Sequence, residues 1–156
     1  MNALCAGDLF AVPLSPGGYA VGILARARPR GKVVLAYFFG PRWDTVPELG
    51  DVMSVRAESS VLIALVSTLG LKDGSWQIVG QQTPFDPAAW PMPRFASVDP
   101  ITGKTWEISC SERDPMVEVG RRVVDGSGER LPSDGLLGHV LVERRLSTLL
   151  IGSNNF

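Results

Sequence analysis

The sequence predicts a mainly β fold, a β-rich α+β arrangement built as a compact, strongly bent or barrel-like antiparallel sheet with one or two short helices and long proline-rich loops. Three observations lead there. The 156 residues include 17 Gly and 12 Pro, enough to punctuate many short elements. Apolar residues make up 45% of the chain, sufficient for a core without disulfide or metal support. Those residues recur at period two, or in short unbroken runs bounded by turn residues, more often than at helical spacing. The length suits one domain, expected over residues 1–152, with 153–156 as a frayed tail.

Taken in order, Asp8–Leu14 puts Phe10, Val12 and Leu14 on one side of an extended segment, and Ser15–Gly18 supplies turn chemistry. Tyr19–Ala25 returns as the second strand of a hairpin, alternating Tyr19, Val21 and Ile23 against Ala20, Gly22 and Leu24. A turn at Pro29–Gly31 leads to Val33–Phe39, an unbroken apolar run that fits a strand buried on both faces. Trp43–Ser54 is polar and suits a short helix, with Pro47 as a first-turn residue before Glu48. Residues 58–69 fit either a helical face (Val61, Leu62, Leu65, Val66, Leu69) or a β-branched strand, and strand is favoured.

Leu71–Gly74 reads as a turn before a strand over Ser75–Gly80, with Trp76 and Ile78 on one side. Pro84, Pro87, Pro91 and Pro93 then forbid regular structure, while Phe85, Trp90, Met92 and Phe95 are apolar enough to hold the connector against the body. Thr105–Ser109 alternates cleanly around Trp106 and Ile108, and Val117–Val124 makes a further strand ending in a turn at Asp125–Gly128. Residues 136–151 alternate as a strand (Val140, Val142, Arg144, Leu146) or wind as a helix (Leu137, Leu141). A strand preceded by a short helical turn is the expectation.

A formal net charge of −1 confines charge-based recognition to local patches. One is basic (Arg26, Arg28, Arg30, Lys32), the other acidic (Asp44, Glu48, Asp51, Glu58, interrupted by Arg56), and short runs like these are usually solvated loops. Cys5 and Cys110 form no CxxC pair, which suits a reducing compartment, so a cytoplasmic location is expected. The N-terminus shows no basic and apolar leader pattern, and the run Val61–Val66 is too short to span a bilayer.

Chemistry-bearing motifs are sparse. His139 is the sole histidine, so a two-histidine zinc site cannot be assembled, and no Gly-x-Ser-x-Gly elbow accompanies it. Gly103-Lys104-Thr105 resembles the end of a phosphate loop, but Val98 stands where the first glycine belongs. Asp73, Asp86, Asp99, Asp114 and Asp134 each sit beside Gly or Pro, where Asp usually bonds its own turn rather than a substrate. Trp76 and Trp106 belong to strands and read as core, whereas Trp43 and Trp90 lie in irregular segments and are the aromatic anchors available to a partner.

An ordered series of segments resembles a known family: Gly7–Leu14, Gly18–Gly22, Tyr37–Gly40, Gly70–Gly80, Pro84–Pro87 with Trp90–Phe95, and Leu131–Leu136 are similar to immunity protein 26 of bacterial polymorphic toxin systems. The resemblance runs over nearly the whole chain. It implies a mostly β protein that binds and inactivates a cognate toxin, often a nuclease, with no catalytic residue, cofactor or metal of its own. A basic nuclease cleft would favour an acidic surface with an aromatic anchor, so the expected contact residues are Trp43, Asp44, Glu48 and Asp51, with Trp90. The competing expectation is a small β-barrel module that binds nucleic acid or peptide through Arg26–Lys32. Under the first reading, direct binding to nucleic acid or membrane is not expected.

Overall fold

The computed structural model describes residues 3–28, 31–124 and 131–152. Strands β1 (Asp8–Pro13), β2 (Tyr19–Arg26), β3 (Val33–Trp43), β4 (Leu62–Ser67) and β5 (Gln77–Gln81) form a five-stranded sheet in the order β4-β3-β2-β1-β5. Strands β6 (Phe95–Val98), β7 (Thr105–Ser111) and β8 (Asp114–Val124) form a second, three-stranded sheet in chain order. Neighbouring strands in both sheets are antiparallel. Three α-helices, α1 (Leu49–Val52), α2 (Leu69–Lys72) and α3 (His139–Ile151), and two single 3-10 turns, at Ala57–Ser59 and at Pro87–Ala89 within the proline-rich connector, complete the described chain.

Alternation in β1–β3 sends apolar side chains to both faces of the large sheet, so both must be covered. On one face Phe10, Val12, Leu24, Val34, Ala36 and Phe38 meet Leu71, Trp76 and, from α3, Val142 and Leu146. Trp76 stacks on Phe10 at 5.4 Å between ring centres and meets Phe38 edge-on, an arrangement aromatic quadrupoles favour. On the opposite face Leu9, Val21, Ile23, Leu35, Tyr37 and Phe39 pack under Val52, Trp90, Phe95 and Ile108. The molecule is therefore layered: α3, the large sheet, then the small sheet with the proline-rich connector. The sheets do not close into a barrel. A sheet apolar on both sides needs a layer on each, whereas a small closed barrel hides only its inner face.

The first hairpin lies where the sequence puts it, and Val33–Phe39 is the doubly buried part of β3, but the strand does not close at Gly40-Pro41 as expected: it runs on to Trp43, which pairs with Tyr19 of β2 instead of lying in an irregular segment. The segment 58–69 resolves as the favoured strand, β4, flanked by a 3-10 turn at Ala57–Ser59 and by α2. In the polar stretch after Trp43, helix α1 begins at Leu49, two residues after the Pro47 expected in its first turn, because Glu48 caps it and Pro47 stands outside. Trp76 precedes β5 and is buried, while Ile78, expected on the same side, pairs with Phe10 at the sheet's edge strand and is 44% exposed. The connector is held down: Trp90 and Phe95 are buried, and Phe85 and Met92 pack at the edge of the second core. The turns read at Pro29–Gly31 and Asp125–Gly128 lie partly or wholly outside the described residues, as does the tail 153–156.

The expected strand at 136–151 is a helix. Val142, Leu146 and Ser147 are its buried residues, an i, i+4, i+5 set that only a helix turns to one side. The apparent alternation came from Val140, which is half exposed, and Arg144, which faces solvent. Just before α3, the chain runs along both sheets in parallel. Ala96 N–H donates to Pro132 O (2.8 Å) and Asp134 N–H to Ala96 O (3.0 Å). Ser67 N–H donates to Leu137 O (3.0 Å) and Leu137 N–H to Leu65 O (2.9 Å).

In the small sheet Ser109 faces Gly120 but Cys110 faces Glu118, so β8 carries an extra residue, Val119, as a bulge. One consequence is that Glu118 and Arg121 share a side and form a two-bond ion pair at 2.5 and 3.0 Å. Arg121 also lies 5.7 Å above the ring of Trp106. Trp106, expected in the core, is half-buried at its margin.

Candidate partner-binding face

Four of the five residues singled out as contacts lie along one stretch, Trp43 to Asp51, between the end of β3 and α1. Asp44, Glu48 and Asp51 are exposed and Trp43 is half-buried. The carboxylates are not equivalent. Asp44 pairs with Arg42 at 2.6 Å, and Arg42 also donates to Gly17 O at 2.8 Å, so this charge is locally balanced. Asp51 accepts from the Glu48 backbone N–H at 3.1 Å and closes the start of α1. Among the described residues no cation pairs with Glu48, Asp51 or Glu58.

Trp90 is placed elsewhere. It is 2% exposed, with Tyr37 and Phe39 meeting it edge-on at 5.1 and 5.7 Å. The prolines around it bend the connector so that the indole turns inward, where it gains far more burial than a surface anchor would. Its Nε1–H donates to Gln82 Oε1 (3.2 Å), and Gln82 Nε2 donates in turn to Met53 O (2.8 Å) and Val55 O (3.3 Å). Trp90 thus reaches the acidic stretch through Gln82 and holds it from behind. Nothing in the sequence marks Gln82, because a glutamine in a Gln-Gln-Thr run has no periodic partner.

Between the two segments runs a groove of about 460 Å³, with residues 54–58 on one wall and Gln82, Pro84, Asp86 and Ala89 on the other, and the almost fully buried Trp90 also lines it. Glu58 and Asp86 bring carboxylates to it and Arg56 a cation. Asp86 accepts from Ala88 N–H at 3.0 Å, the local turn bond expected of it. Asp73, Asp99 and Asp114 do likewise toward Ser75, Ile101 and Met116.

The basic cluster does not present itself as a patch. Arg26 is 8% exposed and donates to the carbonyls of Glu112 (2.6 Å) and Ala25 (2.7 Å), which ties the end of β2 to the β7–β8 turn. Arg28 pairs with Asp114 at 3.3 Å, Lys32 is exposed, and Arg30 lies outside the described residues. Gly103-Lys104-Thr105 closes the β6–β7 hairpin, where Asp99 N–H donates to Lys104 O and Gly103 has φ 72°. Burial, and then the carboxylates of Glu118, Asp114 and Asp134, push the Cys110 thiol above its ordinary range, the reverse of what activates a nucleophile. Among the described residues no three His, Cys, Asp or Glu side chains gather as a metal site would require, and no helix is long and apolar enough to cross a membrane.

The family model of immunity protein 26 matches residues 6–107, well over half of the chain. The chain belongs to the immunity protein 26 family. The matched stretch takes in β1 to β6, the first residues of β7, the acidic segment and the connector that carries Trp90. Membership of an immunity protein family implies a cognate toxin as the partner. No curated protein and no solved structure matches this immunity protein 26 chain.

Proposed function

We propose that the chain binds and neutralises a cognate bacterial toxin by protein–protein contact, without turnover of its own. It would act in the cytoplasm as a single unit over residues 1–152. Family membership is the observation that carries this reading. The contact face is the Trp43–Glu58 segment together with its groove: exposed Glu48, Asp51 and Glu58 have no cation paired to them among the described residues, and half-buried Trp43 stands beside them. A surface of that sign suits a toxin with a cationic cleft, as a nuclease has for its phosphate backbone.

The test is calorimetric titration of the purified chain into the toxin domain encoded beside it. Trp43→Ala combined with Asp44→Lys and Glu48→Lys is expected to weaken binding about 100-fold or more, since it removes an aromatic anchor and reverses two charges. Unchanged affinity of the folded triple variant refutes the placement. No binding by the wild-type chain refutes the function, and a toxin that cleaves neither DNA nor RNA refutes the nuclease assignment alone.

A further inference from the structure

The large sheet and the small one each have two edges, and the chain treats them differently. The edges of β4 and β6 are partly covered by the stretch 132–137, and β5 is short and carries Gln77 and Gln81. Strand β8 is eleven residues long, and among the described residues only β7 pairs with it. Its outer edge carries Met116, Val117, Val119 and Val123, all between 48% and 66% exposed. A long apolar edge of this kind is a template for another strand.

The sequence of β8 says which strand. The bulge at Val119 places Glu118, Arg121 and Val123 on one side of the small sheet, paired with Cys110, Ile108 and Trp106, and Arg122 on the other; a second register shift beyond Cys110 leaves residues 115–117 of β8 without a partner on β7. An antiparallel partner must present side chains to matching sides. A second copy of β8 does so in the register that sets Glu118 against Arg121 of the partner copy, and by symmetry Arg121 against its Glu118. The same register sets Met116 against the partner copy's Val123, extending the row that Trp106 and Val123 already form across β7 and β8. Without the bulge, Glu118 and Arg121 would lie on opposite sides and this match would fail.

We propose that β8 is a self-association edge, through which two copies of the chain join their small sheets into one six-stranded sheet. The proposal is independent of the toxin-binding reading and uses the opposite end of the molecule's sequence from the acidic segment. Its charge pattern makes a decisive experiment available. Glu118→Arg leaves two cations at the edge, and Arg121→Glu leaves two anions, so each variant alone repels itself while the two complement each other.

Light scattering coupled to size exclusion, at roughly 10 to 200 µM chain, the range in which modest strand-pairing interfaces associate, is expected to show the wild type passing from one chain's mass to two. Each single variant, checked for folding by circular dichroism, stays at one, with self-association weakened at least about tenfold. An equimolar mixture of E118R and R121E recovers the doubled mass as a one-to-one heterodimer. A wild type that remains a single chain throughout overturns the proposal. So do single variants that still dimerise, which places the interface elsewhere, and a mixture that fails to pair, which removes the register.

Discussion

Trp90 separates two roles that the sequence does not distinguish, an anchor for a partner and a core residue that positions one. Its ring is buried against Tyr37 and Phe39, and its Nε1–H is bonded to Gln82. Replacing a buried tryptophan with alanine costs about 3–5 kcal/mol in lost transfer energy and cavity formation. Within that sum, each edge-on aromatic contact accounts for about 0.5–1.5 kcal/mol and the hydrogen bond for about 1 kcal/mol. For a chain of this length such a loss lowers the melting temperature by about 10 °C. Trp90→Phe keeps most of the apolar area but leaves Gln82 Oε1 without its donor, so about 1–2 kcal/mol is expected. Urea denaturation followed by far-ultraviolet dichroism measures both, and affinity for the toxin domain should change less than about threefold in the folded Trp90→Phe variant, since the indole is not on the surface. A Trp90→Ala protein within about 1 kcal/mol of wild type would refute the core assignment.

Two further outcomes follow from the packing and the charges. A Cβ added at Gly22 would sit 2.6 Å from Phe10 Cε2 and 3.1 Å from Phe38 Cδ1. Gly22→Ala is therefore expected to cost about 2–3 kcal/mol through displaced rings, and a neutral result in the same urea assay counts against the Phe10–Phe38–Trp76 cluster. The Glu107 carboxylate is held below its ordinary range first by hydrogen bonding to Arg122, then by the charges of Arg122 and Arg94. A depressed carboxylate adds stability above its unfolded value, about 4.3, and loses it as the pH falls through the folded value. Melting temperatures of wild type and Glu107→Gln should accordingly differ at pH 7 and converge as the pH falls below the unfolded value and through the folded one. A constant gap would show that the two arginines do not stabilise the ionised form.

Period two was a reliable guide wherever a strand had its alternate faces set by packing. Phe10, Val12 and Leu14 share a face as read, and Val33–Phe39 is buried on both sides because layers lie above and below it. The same rule misled at 136–151, where Val140, Val142 and Leu146 alternate by coincidence and the residues that decide, Val142, Leu146 and Ser147, are picked out only by the sheet they rest on. The acidic stretch was legible as a charge run, since solvated carboxylates need no tertiary partner to be recognised. The groove beside it was not, because its second wall comes from a connector about thirty residues further on. Arg26 looked like part of a basic patch for the same reason. Its acceptors, the carbonyls of Ala25 and Glu112, are backbone groups, and backbone groups carry no residue signature.

The stretch 132–137 pairs with Ala96 on β6 and with Leu65 and Ser67 on β4, strands made much earlier in the chain. Such non-local parallel pairing forms slowly, and it can form only after both sheets stand in their final relation. Until the ribosome has released this stretch, the nascent protein carries two uncovered strand margins side by side, the condition under which chains snag one another. The stretch 132–137 is thus a clasp whose arrival decides when those two margins stop being available to other chains.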